Sequence, residues 1–130
     1  MNSLRTKLAQ FTGSTQWFRH EFNRAVIYTE GVRYLAEHGK AFRLIDAIAS
    51  HLGSHELHEA ADLDTRIGLM HFWNLAVKPD HSATLKAIAD SGEQPFIQQE
   101  IPFTNFPLDE VDIWAKNDAC QWTLLLPSEH

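Results

Sequence analysis

The stretch Leu69-Met70-His71-Phe72-Trp73-Asn74-Leu75-Ala76-Val77 decides how this chain is read. Successive side chains of a strand point to opposite faces. Leu69, His71, Trp73, Leu75 and Val77 therefore share one face, and Met70, Phe72, Asn74, Ala76 and Lys78 share the other. Both rows are fairly apolar, which marks a central strand or one whose second face is also covered. Pro79-Asp80-His81-Ser82 then supplies turn chemistry.

The period-two pattern continues downstream. Residues 83–89 return with Leu85 and Ala87 opposite Thr84 and Lys86, and Asp90-Ser91-Gly92-Glu93 turns the chain again. Residues 96–103 set Ile97, Ile101 and Phe103 against Gln98 and Glu100. Pro102 has no ladder donor and belongs at a strand end or a sheet edge. After a corner at Asn105-Phe106-Pro107, Val111, Ile113 and Ala115 alternate with Asp112, Trp114 and Lys116. Asn117-Asp118 leads into a last strand with Cys120, Trp122, Leu124 and Leu126 on one side, ended by Pro127. Five consecutive strands with short connections predict an antiparallel meander, because parallel pairing needs long crossovers.

Upstream, Leu4, Leu8 and Phe11 stripe a short first helix that Ser3 can cap, and Thr12-Gly13-Ser14 stops it. Ala25-Val26-Ile27-Tyr28 is rich in β-formers and predicts a strand, with residues 16–20 placed to pair with it as a hairpin. Thr29 reads as the N-cap of a helix with Glu30 in its first turn and Gly39 at its C′ position. Residues 40–52 make the cleanest amphipathic helix. Ala41, Leu44, Ile45, Ile48, Ala49 and Leu52 share a face, while Arg43, Asp46 and Ser50 point away. Residues 55–63 are polar and poorly periodic, and read as a loop or a single helical turn. The predicted fold is α+β: an antiparallel β-meander of about five strands with two or three helices on one face and an N-terminal β-hairpin, in a single domain over residues 1–130.

Composition sets the bounds. With 44% hydrophobic and 22% charged residues, 130 residues suffice for one core. A net charge of −6 disfavours a general nucleic-acid binder, although Arg19, Arg24, Arg33, Lys40 and Arg43 concentrate ahead of the sheet. The single cysteine, Cys120, excludes an internal disulfide and reads as a buried small hydrophobe. The first eleven residues lack the apolar core of a signal peptide, and no run approaches the roughly 20 apolar residues of a membrane span. A cytoplasmic protein without a membrane role is expected.

Three groups attract chemical interest. His51, His55 and His58 stand at i, i+4 and i+7 beside Glu56, Glu59 and Asp62, a spacing that would offer zinc three ligands on an unbroken helix. Gly53-Ser54 interrupts that helix, the order is not His-Glu-x-x-His, and a solvated acidic connector explains the same residues. His71 and Trp73 fall on the apolar face, either as satisfied core residues or as the lining of a pocket between sheet and helix. Phe72 and Trp114 fall on the opposite face, where a contiguous apolar patch would mark an interface. The carboxylate pairs Asp109-Glu110 and Glu59 with Asp62 look like solvated turns, and no phosphate loop, nucleophile elbow or Ser-His-Asp arrangement is found.

Phe11-Thr12-Gly13, Tyr28-Thr29-Glu30-Gly31-Val32 with Tyr34-Leu35-Ala36-Glu37, Leu44-Ile45-Asp46-Ala47-Ile48-Ala49-Ser50-His51 and Leu124-Leu125-Leu126-Pro127-Ser128-Glu129-His130 together resemble a family of small bacterial proteins. That family is classed only as a domain of unknown function, found in cyanobacteria and on mobile elements. The resemblance covers nearly the whole chain, least between His55 and Arg66. It implies a single-domain bacterial protein with no established activity, and it carries over no functional residues. It also implies that the terminal Leu-Pro-Ser-Glu segment is more than a frayed tail.

These readings favour a non-enzymatic protein-interaction module, a homodimer or one bound to a protein partner through Phe72 and Trp114, with no cofactor. The alternative is a small-molecule or metal site, zinc among the metals and hydrolysis among its activities, around His71 and the His51/His55/His58 group.

Overall fold

In the computed structural model, which describes residues 2–118 and 121–130, the chain runs α1 (Asn2–Ala9), β1 (Trp17–Arg19), β2 (Val26–Thr29), α2 (Glu30–His38), α3 (Phe42–His51), α4 (His55–Leu63), α5 (Thr65–Leu69), β3 (Met70–Val77), β4 (Ala83–Ile88), β5 (Ile97–Ile101), β6 (Glu110–Asp118) and β7 (Gln121–Leu125). A 3-10 turn, Pro127–Glu129, follows. Cys120 lies outside the described residues.

The deciding stretch is a strand from Met70 onward, buried on alternate residues: His71, Trp73 and Leu75 are enclosed, while Phe72 and Asn74 are only partly covered. Leu69 instead ends α5 and is exposed. The inward row joins Leu85, Ala87, Ile97, Ile113, Ala115 and Leu124 in one core cluster with the apolar sides of α2 and α3. Val32, Leu35 and Ala36 of α2, and Leu44, Ile45, Ile48 and Ala49 of α3, are all buried as their spacing predicts.

The sheet is α+β in context but is not a meander. Its order is β1-β2-β7-β6-β3-β4-β5, so the chain leaves β5 and crosses back to pair β6 with β3. Pro102 directly follows β5, which forms one edge of the sheet as a proline-flanked strand should. The returning segment is anchored by buried Phe106 and Leu108 and by the Val77 N–H donating to Asp109 O at 2.8 Å. It then meets the longer free edge of β3, where seven residue pairs form from Met70↔Lys116 to Ala76↔Glu110.

The sheet is also mixed. The predicted N-terminal hairpin exists, with Trp17↔Thr29 and Arg19↔Ile27 in register, and its second strand runs parallel to β7. The long crossover that parallel pairing demands is supplied by the chain between β2 and β7, which includes the helices α2–α5 and the four strands β3–β6.

The helical layer is larger than expected. Residues 55–63 are a helix rather than a loop: Ser54 caps it by accepting the Leu57 N–H at 3.2 Å, and Leu57 is buried. Asp64 caps α5 in the same way through Arg66 N–H. Where α2 ends, Lys40 and not Gly39 takes the left-handed backbone, with φ +53°. Gly39 serves closeness instead, since a Cβ there would lie 2.7 Å from Leu35 O and 3.0 Å from the Phe106 ring.

Ile48 is fully enclosed between α3 and the sheet. Ile48→Ala is expected to cost about 2–5 kcal/mol of unfolding free energy, measured by urea denaturation with an unchanged m-value.

Candidate functional site

His71 is held at the inner face with zero exposure. Its Nδ1–H donates to Ile67 O at 3.0 Å, leaving the Nε2 lone pair facing its surroundings. Those surroundings are aromatic: Trp122, Phe96 and Trp73 rings stand edge-on at 5.0, 5.3 and 5.7 Å. Among the described residues, neither His71 Nε2 nor Trp73 Nε1 has a hydrogen-bond partner. Burial pulls the imidazole down to about 4, only partly opposed by the Ile67 carbonyl, so the ring is neutral. A nearby cavity of about 630 Å³ is lined by His55, Glu56, Glu59 and Asp64, and it shares Ile67 and Phe96 with the surroundings of His71.

The other histidines are dispersed. His51 stacks on Trp73 at 5.5 Å and contacts Gln99 Oε1 at 2.9 Å, so it faces the sheet. Beyond the break at Gly53, exposed His55 pairs with Glu59 at 2.6 Å and exposed His58 approaches Asp62 at 3.8 Å. The three predicted ligands do not converge. Among the described residues, no group of three or more His, Cys, Asp or Glu side chains is arranged to hold a metal ion. His20 lies against α3. Its Nδ1 accepts the Phe22 and Asn23 backbone N–H groups, which fixes the proton on Nε2 for donation to Asp46 Oδ1 at 2.7 Å. Asn23 in turn donates to Ala49 O and Leu52 O at the end of α3. This is a structural staple: both imidazole nitrogens are committed to the protein.

On the outer face the register lines up Ile88, Phe72, Trp114 and Leu125 as direct cross-strand neighbours over β4, β3, β6 and β7. Phe72 and Trp114 meet edge to face at 5.1 Å, and His130 stands against Trp114 at 5.2 Å. Phe72, Ile88 and Trp114 are partly exposed, and Leu125 is buried. Lys86, Asn74 and Asp112 border the row on one side, Lys116 and Thr123 on the other.

Sequence reading missed a polar node that joins distant parts of the chain. The Glu129 carboxylate accepts from Thr29 Oγ1 at 2.6 Å, Leu126 N at 2.9 Å, Gly31 N at 3.2 Å and Ser14 Oγ at 3.2 Å. It thus occupies the positive end of α2, where backbone N–H groups lack helical acceptors. Ser14 Oγ also accepts the Glu30 N–H, and Glu30 Oε1 accepts the Thr15 and Gln16 N–H groups. The Thr15 amide in particular holds the Glu30 carboxyl below its ordinary range. Gly31 leaves room for this carboxylate, because a Cβ there would sit 2.6 Å from Glu129 Oε1 and push it aside. The available signal was the pair of segments 28–32 and 124–130 that carry the family resemblance, which meet here.

The fold and this node define a small α+β domain with one helix-covered sheet face and its C-terminal turn locked onto a helix start. The chain matches over residues 2–130 the family described as "Family of unknown function (DUF6876)", and it belongs to that family. Among solved structures it resembles the "protein of unknown function from Enterococcus faecalis", with a TM-score of 0.50 and 20% sequence identity over 88% of this chain and 98% of that one. That likeness shows a shared fold. No curated protein matches the chain.

Two outcomes follow from the geometry. His71 has a folded-state pKa below its unfolded value, so its contribution is present above about pH 6.5 and is lost as pH falls toward about 4. Urea titrations should lose about 3 kcal/mol over that window, and His71→Leu should flatten that part of the slope. Glu129→Ala should cost about 1–3 kcal/mol. Gly31→Ala displaces the same carboxylate, so the double variant should cost clearly less than the sum of the two single ones, as read from a double-mutant cycle.

Proposed function

We propose that this chain is a non-enzymatic interaction module of the bacterial cytoplasm, and that its partner is a second copy of itself docked through the outer sheet face. One observation carries the reading: an apolar row crosses four neighbouring strands on the face opposite the main helical layer. A sheet face is half of a sandwich, and two such faces pack about 10 Å apart with interdigitated side chains. Aromatic anchors at the centre of a face are the residue types that dominate interface energetics. The borders of the row carry both signs of charge, Lys86 and Lys116 with Asp112, so a two-fold arrangement offers each copy partners on the other. The whole-chain charge of −6 sets a repulsion that the mixed borders locally offset.

Light scattering after size exclusion tests this. Wild type should elute at twice its 14.9 kDa mass, and Trp114→Lys should run as a folded monomer. Thr84→Lys, on the same face but off the row, should stay dimeric. A wild-type monomer at concentrations of about 100 μM, well above the Kd of a stable dimer, sinks the proposal.

A further inference from the structure

Where α3 begins, a cavity of about 510 Å³ opens between that helix, β5 and the segment that leaves β5. This is the size of a small-molecule site. Its floor is apolar and buried, built from Leu44, Leu75 and Phe106. Two phenyl rings on its border, Phe42 and Phe103, are 48% and 61% exposed, among the most exposed large apolar side chains of the domain.

Its charge sets it apart. Lys40 and Arg43 line it, no carboxylate does, and neither cation is in an ion pair among the described residues. The cavity of about 630 Å³ carries Glu56, Glu59 and Asp64 instead, and three others carry Glu110 and Asp112, Asp46, or Asp118 and Glu129. In a chain with 17 acidic and 11 basic residues, an acid-free cavity with two unpaired cations is complementary to an anion. The polar lining adds donors: Thr104 accepts the Phe106 N–H at 3.2 Å and keeps its hydroxyl proton, and Asn105 and Gln99 present amides. Gln99 is oriented through its Oε1 contact with His51. The first turn of α3 has no side-chain cap and no acidic residue, which reinforces the same sign of potential.

From these contacts we propose that the cavity binds a small aromatic anion, with a flat ring against Phe42 and Phe103 and a carboxylate or phosphate at Lys40 and Arg43. The floor removes the ring from water, the phenyl groups stack on it, and the cations fix the charged end. This site is on the helical side of the sheet and is independent of dimerisation through the outer face.

The test uses the full chain labelled with nitrogen-15 and two probes, indole-3-acetate and adenosine 5′-monophosphate, each beside its uncharged counterpart, indole and adenosine. At least one anion should shift the amides of Lys40, Phe42, Arg43 and Thr104 in a saturable way. Its uncharged counterpart should bind about tenfold or more weakly, the loss of one charge-assisted contact. The anion that binds identifies the charged group. Arg43→Gln and Phe103→Ala should each weaken binding several-fold without lowering the melting temperature, since both side chains are exposed. The proposal is overturned if neither anion shifts these amides at about 5 mM, beyond the millimolar floor of useful affinity. It is equally overturned if charged and uncharged probes bind alike, or if the shifts map to another surface.

Discussion

β3 must be paired along both edges while burying only one of its rows, and the rest of the fold answers that demand. Its inward row, His71, Trp73 and Leu75, is enclosed by α2, α3 and the neighbouring strands. Its edges are taken by β4 and β6, which leaves β5 and the N-terminal hairpin at the margins of the sheet. Each buried large side chain contributes about 1.5–3 kcal/mol before ordering costs, so the inward row and the faces of α2 and α3 dominate stability. The outer row cannot draw on that source. It is stabilised sideways, by contacts such as Phe72 against Trp114, and Phe72 stays partly exposed.

A second constraint acts on the chain's distant segments. Hydrophobic burial fixes which face α2 uses but not where along the sheet it starts. The carboxylate of Glu129 does, by meeting Ser14, Thr29 and Gly31 at one point. Hydrogen bonds are directional where burial is not. The node therefore sets register at a position where packing alone would tolerate a slip. His20, held between the hairpin and α3, does the same on the other side of the N-terminal segment.

What the sequence disclosed was local. Alternation assigned the faces of β3 and β6 residue by residue, and helical spacing assigned the buried side of α3, because each pattern is complete within a short window. Pairing order was not legible, since the choice between β5 and β3 as the neighbour of β6 is made by the anchoring of Phe106 and Leu108 across the molecule. Residues 55–63 hid their helix because its one buried leucine gives almost no periodic signal, while the Ser54 cap that starts it is a single residue. The Glu129 node was illegible for a related reason: Thr29 and Glu129 are 100 residues apart, and neither is unusual alone. The histidines misdirect in the opposite sense. Spacing that suggests one face of a helix is divided at Gly53, whose positive φ turns His51 toward the sheet and His55 toward water.

The parallel pairing of β2 with β7 bears on how this polypeptide is made. Residues 26–28 have no lasting neighbour on that edge until residues 122–124 have been synthesised. During translation the early hairpin and α2 emerge with their sheet partner still to come, so they dwell in a partly assembled form that exposes unpaired backbone. Such intermediates aggregate readily. A stall or premature stop before the final strand would release a protein whose N-terminal hairpin lacked its neighbour along one edge, and chaperone engagement should concentrate on that window of synthesis.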